Sequence, residues 1–251
     1  MKYKKIMIIV ITAIFLVSIA GVCASDANDT TVSSEDTSQI ELSDSDKVIE
    51  DNLQTSEEND ELTLTDNDVF GADSASYSDL ALEISKSGNV TLTHKNYIYD
   101  GGATIEIKED NKVIDGNGAV IDMAGSTKMS AFKVSSSGVT IKNLTIKNAN
   151  YNIDGGAICF TGDSRYCTVT NCNFTDNSAR LGGAVCFLGS SGTVTNCNFT
   201  GNTASSGGGA VYFSSSGTVT NCNFTGNTAA LNGGAINMGL GTVSNCNFTG
   251  K

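Results

Sequence analysis

The pentapeptide Asn-Cys-Asn-Phe-Thr occurs four times, placing Phe174, Phe199, Phe224 and Phe248 at separations of 25, 25 and 24 residues. Cys172, Cys197, Cys222 and Cys246 keep the same step, and Gly-Gly-Ala recurs beside them, beginning at Gly155, Gly182, Gly208 and Gly233, at separations of 27, 26 and 25. Self-similarity at a fixed period of this size marks a stacked architecture, because one copy cannot bury its hydrophobic face alone and needs its neighbours to do so. Any element assigned to one copy must therefore recur in register in the next.

Within a copy the apolar residues alternate with polar ones: Val211 and Phe213, then Val219, then Cys222 and Phe224. Period two is a strand. Three short strands per copy, separated by "SSSG", a lone Asn and "TGNTAALNGG", predict an all-β coil whose strands lie about 4.8 Å apart on successive rungs. Asn171, Asn196, Asn221 and Asn245 each fall between two inward residues only three apart, such as Val194 and Cys197. That spacing predicts a bend in the left-handed region, which Asn tolerates. The cysteines and phenylalanines of the pentapeptide are assigned to the core, and the glycine pairs to corners. An earlier copy, "VTIKNLTIKNAN", has Leu144 and Ile146 where Cys and Phe stand later.

The combination of "FTGN" with Gly-Gly-Ala-Ile or Gly-Gly-Ala-Val at this step resembles the polymorphic outer-membrane protein repeat and the adhesin-like proteins of methanogenic archaea. "NKVIDGNGAVIDMAG" and "VTIKNLTIKNA" are similar to rungs of the pectate-lyase-like superfamily. The resemblance spans about residues 76 to 251. It implies a right-handed parallel β-helix and a secreted or surface-displayed protein that binds glycans or proteins of other cells without a cofactor. It also brings in an alternative, a polysaccharide lyase or glycoside hydrolase on the same fold.

Ahead of the repeats stands "SYSDLALEIS", where Ser76 and Asp79 approximate a capping box before Leu80 and Ile84. It is expected to form a short helix that closes the first rung, as solubility of a solenoid end requires. At the other end the sequence stops partway through a copy, at "NCNFTGK", as expected of a shortened version of a longer protein.

Charge divides the chain into three parts. Residues 1–5 carry three lysines, residues 25–75 carry sixteen acids and one lysine, and residues 76–251 carry eleven acids and eleven bases, so 3 − 15 + 0 gives the net −12. Residues 1–24, with a basic start, an apolar run from Met7 to Gly21 and small residues before position 25, read as a secretory signal peptide. The same stretch, left uncut, would be a membrane anchor and the chain's one contact with a bilayer. Residues 25–75 read as an acidic disordered spacer, too poor in hydrophobes to offset the entropy of ordering. An acidic balance of this size argues against nucleic acid as a partner.

The chemistry-bearing residues are few. A linear column of thiols cannot converge into the tetrahedron that zinc requires, and His94 is the only histidine, so no metal site is expected. The alternation in "ICF" and "VCF" turns Cys159 and Cys186 outward on neighbouring rungs, where a disulfide is conceivable. Glycoside hydrolysis needs two carboxylates about 5 to 9.5 Å apart. The candidates for such an enzyme are Asp154, Asp163 and Asp176, with Arg165 and Arg180 nearby in sequence, but the repeat alignment puts the three acids at different corners. Asp115 and Asp122 fall in turns where Asp beside Gly is ordinary.

Residues 181 to 250 contain no charge at all. Their outward positions are hydroxyls, amides and one phenol: Thr195, Asn198, Thr200, Tyr212, Thr220 and Asn223. Of these, Asn198, Thr200, Tyr212 and Asn223 are the candidate binding residues, suited to neutral sugars or another protein's surface. Sequons fall at Asn28, Asn89 and Asn143, the candidate glycosylation sites, and again in every "NFT". Glycans on the latter, only about 4.8 Å apart, would crowd one another.

Overall fold

The computed structural model describes residues 73–124, 126 and 129–250. The segment read as a signal and all but the last residues of the acidic spacer, including Asn28, lie outside the described residues.

Three parallel ladders wind along the coil. The first stacks Ile105–Ile107, Phe132–Val134, Ile158–Phe160, Val185–Phe187 and then residues 211–213 and 236–238. The second stacks Val90–Thr91 and residues 113–115, 140–142, 168–170, 192–195, 217–220 and 241–244. The third begins at Ser74–Ser76 and ends with Asn173–Thr175, Asn198–Thr200, Asn223–Thr225 and Asn247–Thr249. Register pairs like with like, so Phe174 lies on Phe199, then Phe224, then Phe248.

The bends follow from backbone chemistry. Asn171, Asn196, Asn221 and Asn245 hold φ between 52° and 56°, the left-handed region that lets two inward side chains sit three residues apart. Gly182 turns at φ 60°, and its neighbour Gly183 has no room for a side chain, since a Cβ there would meet the Gly209 carbonyl oxygen at 2.2 Å. The pair thus combines a left-handed turn with a close backbone approach.

The core is a set of columns. Phe174, Phe199, Phe224 and Phe248 stack with ring centroids 4.9 to 5.0 Å apart, and Phe160, Phe187 and Phe213 stack at 4.4 and 4.7 Å. Val169, Val194, Val219 and Cys172, Cys197, Cys222 fill the interior between them, all with no exposed surface. No described rung follows the one carrying Cys246 and Phe248, so Cys246 is half-buried and Phe248 is 51% exposed.

Helix α1, Tyr77–Ser85, packs on the other end with Tyr77, Leu80, Glu83 and Ile84 buried. Its capping box is complete: Ser76 Oγ accepts from the Asp79 amide and Asp79 Oδ2 accepts from the Ser76 amide, each at 3.0 Å. Glu83 fastens it to the first rung. Its carboxylate accepts from Tyr97 Oη at 2.7 Å, Thr93 Oγ1 at 2.8 Å and the Thr93 amide at 3.0 Å, and lies 3.2 Å from His94 Nδ1.

Two expectations change. The coil takes in residues before 76, because Ser74 and Ala75 pair in register with Asn96 and Tyr97 and Ala75 is buried. The segment read as a plain connecting loop contains a fourth short ladder, formed by Ser178–Leu181, Thr203–Gly207 and Thr228–Ala229. Alternation is nearly invisible in "TASSG", yet backbone pairing with the rungs on either side suffices to make it a strand.

Candidate functional site

The outward side chains of the second and third ladders form a continuous surface around the Asn196 bend. Thr140, Thr168, Thr193, Thr218 and Thr242 make one column, and Thr170, Thr195, Thr220 and Ser244 a second. Beyond the bend, Asn173, Asn198, Asn223 and Asn247 make a third, and Thr175, Thr200, Thr225 and Thr249 a fourth. Residues alternate in and out along a strand, so columns on one ladder lie two residues apart, about 6.7 Å, with about 4.8 Å between rungs. The result is a regular grid of uncharged donors and acceptors.

Neighbouring members of the grid bond to one another. Asn223 Nδ2 donates to Asn198 Oδ1 at 2.9 Å, Asn198 Nδ2 to Asn173 Oδ1 at 2.8 Å, and Asn173 Nδ2 to Thr145 Oγ1 at 3.3 Å. The hydroxyls of Thr220 and Ser244 lie 3.2 Å apart and those of Thr225 and Thr249 3.0 Å. These ladders fix each rotamer while leaving one amide hydrogen and spare lone pairs for a ligand.

Toward helix α1 the same columns carry charge, in cross-rung pairs. Lys142 Nζ lies 3.1 Å from Asp115 Oδ2 and Lys147 Nζ 2.9 Å from Asp122 Oδ2. Partial burial works against ionisation of both carboxylates. For Asp115 the hydrogen bonds of Asn143, the Asn117 amide and Lys142 outweigh it; for Asp122 those of Asn148, Lys147 and the Ala124 amide do. Both acids therefore stay below the usual carboxylate range, committed to partners inside the wall.

The structure brings together Asn198, Thr200 and Asn223 on the third ladder but not Tyr212. That phenol stands on the first ladder, above Cys186 and half-buried, with Gly208 packed so close that a Cβ there would lie 3.1 Å from Tyr212 Cβ. Cys159 and Cys186 do face away from the main core and are in register. They are nevertheless not on the surface: Cys186 has no exposure and Cys159 9%. The glycine-bearing segments run against these strands, and a Cβ on Gly155 would come within 2.9 Å of Cys159 Cα. Both thiols are free. Burial, reinforced by the Asp154 carboxylate, pushes the Cys159 thiol up to about 11, and burial pushes Cys186 higher still.

The three candidate acids stay apart. Asp154 is buried, with Oδ1 and Oδ2 at 2.9 and 3.0 Å from Arg180 Nη2. Asp163 is exposed in the turn between Ile158–Phe160 and Arg165–Thr170, and Asp176 is exposed at a left-handed corner, φ 53°, after Asn173–Thr175. None of the three bonds to another, and no group of three metal-ligating side chains converges among the described residues. Of the candidate glycosylation sites, Asn89 is exposed but its Oδ1 accepts from the Val113 amide at 2.9 Å, and Asn143 Nδ2 is engaged by Asp115 Oδ1 at 3.0 Å.

Sequence reasoning missed a buried amide ladder. Asn177 Nδ2 donates to Asn202 Oδ1 at 3.0 Å and Asn202 Nδ2 to Asn227 Oδ1 at 2.9 Å, with Asn177 and Asn202 fully enclosed. The signal was present in the recurrence of Asn three residues after Phe174, Phe199 and Phe224. An Asn in a polar turn is ordinary, however, and nothing local marks it as buried.

A family model described as the right handed beta helix region matches residues 130–250, while no curated protein and no solved structure matches the chain. Together with the stacked parallel ladders, that match makes residues 74–249 a right-handed parallel β-helix.

Proposed function

We propose that this β-helix is an adhesin-like binding module, working outside the cell and engaging neutral glycans or protein surfaces of other cells through the grid of Thr and Asn side chains. The single observation that carries the reading is that residues 181 to 250 are free of charge while their outward columns stay in register. A rigid array of this kind presents many weak hydrogen bonds at once. Each contributes about 0.5 to 1.5 kcal/mol, so useful affinity comes from an extended or repetitive ligand rather than a small one. The scattered positions of Asp154, Asp163 and Asp176 weigh against a carbohydrate-active enzyme on the same fold. Export rests on residues 1–24 alone, and detection of a mature chain starting at residue 25 in the medium or at the cell surface would support it.

A glycan and whole-cell binding screen with the full chain tests the proposal. Thr193→Lys and Thr218→Lys, on the outward grid, are expected to abolish binding at unchanged melting temperature, whereas Asp154→Asn, Asp163→Asn and Asp176→Asn leave it intact. Binding that survives both lysines, or polysaccharide cleavage lost with any of the three acids, would overturn it.

A further inference from the structure

We propose that Tyr166 is a stacking platform for one hexopyranose unit of a neutral polysaccharide, set at the rim of the threonine grid so that neighbouring units of the chain lie across its hydroxyls. This anchor, which rests on the glycan reading of the grid, stands two residues before Thr168 on the second ladder. Tyr166 is 73% exposed, whereas Tyr77 and Tyr97 are buried and Tyr99, Tyr151 and Tyr212 half-buried.

The backbone holds the ring out at a cost. Tyr166 has φ 55°, in the left-handed region, where a bulky side chain is strained. The residues in register with it at this corner are Asn111, Gly138 and Ser191, at φ 59°, 70° and 53°. Asn and Gly are the types that the left-handed region accepts, and Ser is small. Ser191 also gains a partner there, its hydroxyl lying 3.2 Å from that of Ser216. Tyr166 breaks the local pattern without gaining burial, and such positions are where function is to be sought.

The base of the platform is firmly held. Ser137 Oγ accepts from the Arg165 amide at 3.2 Å, and the Gly138 amide donates to the Arg165 carbonyl at 2.8 Å. In the turn before it, Ser164 donates its hydroxyl at 2.7 Å and its amide at 3.0 Å to the Thr161 carbonyl. A ring on a fixed backbone binds with little left to order.

The flanks supply polar groups. Arg165 is exposed, and among the described residues its guanidinium pairs with no carboxylate, so its N–H donors are open to sugar hydroxyls. Asp163, exposed two residues earlier, balances its charge, so no net charge favours an acidic sugar. On the other side Thr168 and Thr170 follow at steps of about 6.7 Å. A pyranose with C–H groups on one face and hydroxyls around its rim meets an apolar aromatic face and hydrogen-bonding groups here at once.

The test is calorimetric titration of the full chain with chitohexaose, cellohexaose and β-1,4-galactohexaose, run beside the whole-cell assay. At least one of the three is expected to bind the wild type. Tyr166→Asn, which places at this corner the residue type that Asn111 already supplies, is expected to weaken that binding at least about tenfold while the melting temperature holds or rises. Tyr166→Trp keeps a stacking face and introduces the only tryptophan of the chain; it should retain affinity within about threefold, and its emission should shift on saturation. Equal binding by Tyr166→Asn, an emission that does not move at saturation, or tighter binding of hexagalacturonate than of any neutral hexamer overturns the proposal. Whole-cell binding that is lost with Thr193→Lys but unchanged in Tyr166→Asn, with no hexasaccharide bound, removes the platform and leaves the grid reading standing. A wild type that binds neither cells nor sugars removes both.

Discussion

Asn177 donates its side-chain amide to Oδ1 of Asn202 at 3.0 Å, and neither residue has any exposed surface. Oδ1 of Asn202 also accepts from the Asn177 backbone amide, and its Nδ2 donates to the Phe174 carbonyl and to Asn227 Oδ1. This one side chain therefore satisfies four polar groups in the wall. Asn202→Ala takes a partner from all four; the Asn177 side-chain amide keeps the Ile146 carbonyl and Asn227 Oδ1 keeps the amide of residue 202, and each buried group left unpaired costs about 1 to 3 kcal/mol before relaxation. The expected loss is about 3 kcal/mol or more, read from the urea unfolding midpoint. Asn198→Ala, which breaks an exposed amide ladder, is expected to cost less than about 1 kcal/mol.

Glu83 is the pin between helix α1 and the first rung, and its titration makes the cap sensitive to acid. Burial works against its charge, but hydrogen bonds from Tyr97, Thr93 and His94 outweigh it and lower the folded pKa below the ordinary 4.5. The stability contributed by a depressed carboxylate is fully present above its unfolded value and is lost as pH falls through the folded one. Thermal melts are expected to be flat from neutral pH down to about 4.5 in this contribution and to fall below it. Glu83→Gln should melt lower at pH 7 and lose that acid dependence.

Cys159 and Cys186 stand in register, and both remain thiols. The Cys159 thiol, raised from 9.0 to about 11, carries about one hundredth of the usual thiolate near neutral pH. Iodoacetamide is expected to label it at least about 100-fold more slowly in the folded chain than in urea. Counts of thiols in urea should be equal with and without prior reductant. A deficit of two without reductant would show the disulfide instead.

Gly183 and Gly226 separate two reasons for glycine. Gly183→Ala drives a Cβ into the Gly209 carbonyl oxygen at 2.2 Å and the Thr203 carbonyl oxygen at 2.5 Å. Neither obstacle is a movable side chain, so the mutant is expected to lose several kcal/mol or fail to accumulate. Gly226 has φ +63° and open space where its Cβ would stand. Asn accepts that conformation, so Gly226→Asn is expected within about 1 kcal/mol of the wild type by the same unfolding assay.

The period of the pentapeptide, the alternation around Val219 and Phe224 and the single Asn at each bend made the coil, its core columns and its capping helix legible in the sequence. These features are local or strictly repeated, and a repeat converts a local pattern into long-range pairing. What stacking adds was not legible. Asn177 and Asn202 read as turn residues and are core; Cys159 and Cys186 read as surface and are covered; Thr203–Gly207 read as loop and is a strand; Tyr212, an outward binding candidate like Asn198, stands half-buried on a different ladder. In each case the deciding neighbour lies 24 to 28 residues away or on a segment folded back over the rung, and burial there depends on what passes overhead rather than on the residue's own type. The amino-acid sequence by itself determined which side chains point inward from each strand. Only the tertiary structure decided which of the outward ones reach solvent, because three ladders and a fourth partial one divide the outside of the coil into covered and open columns.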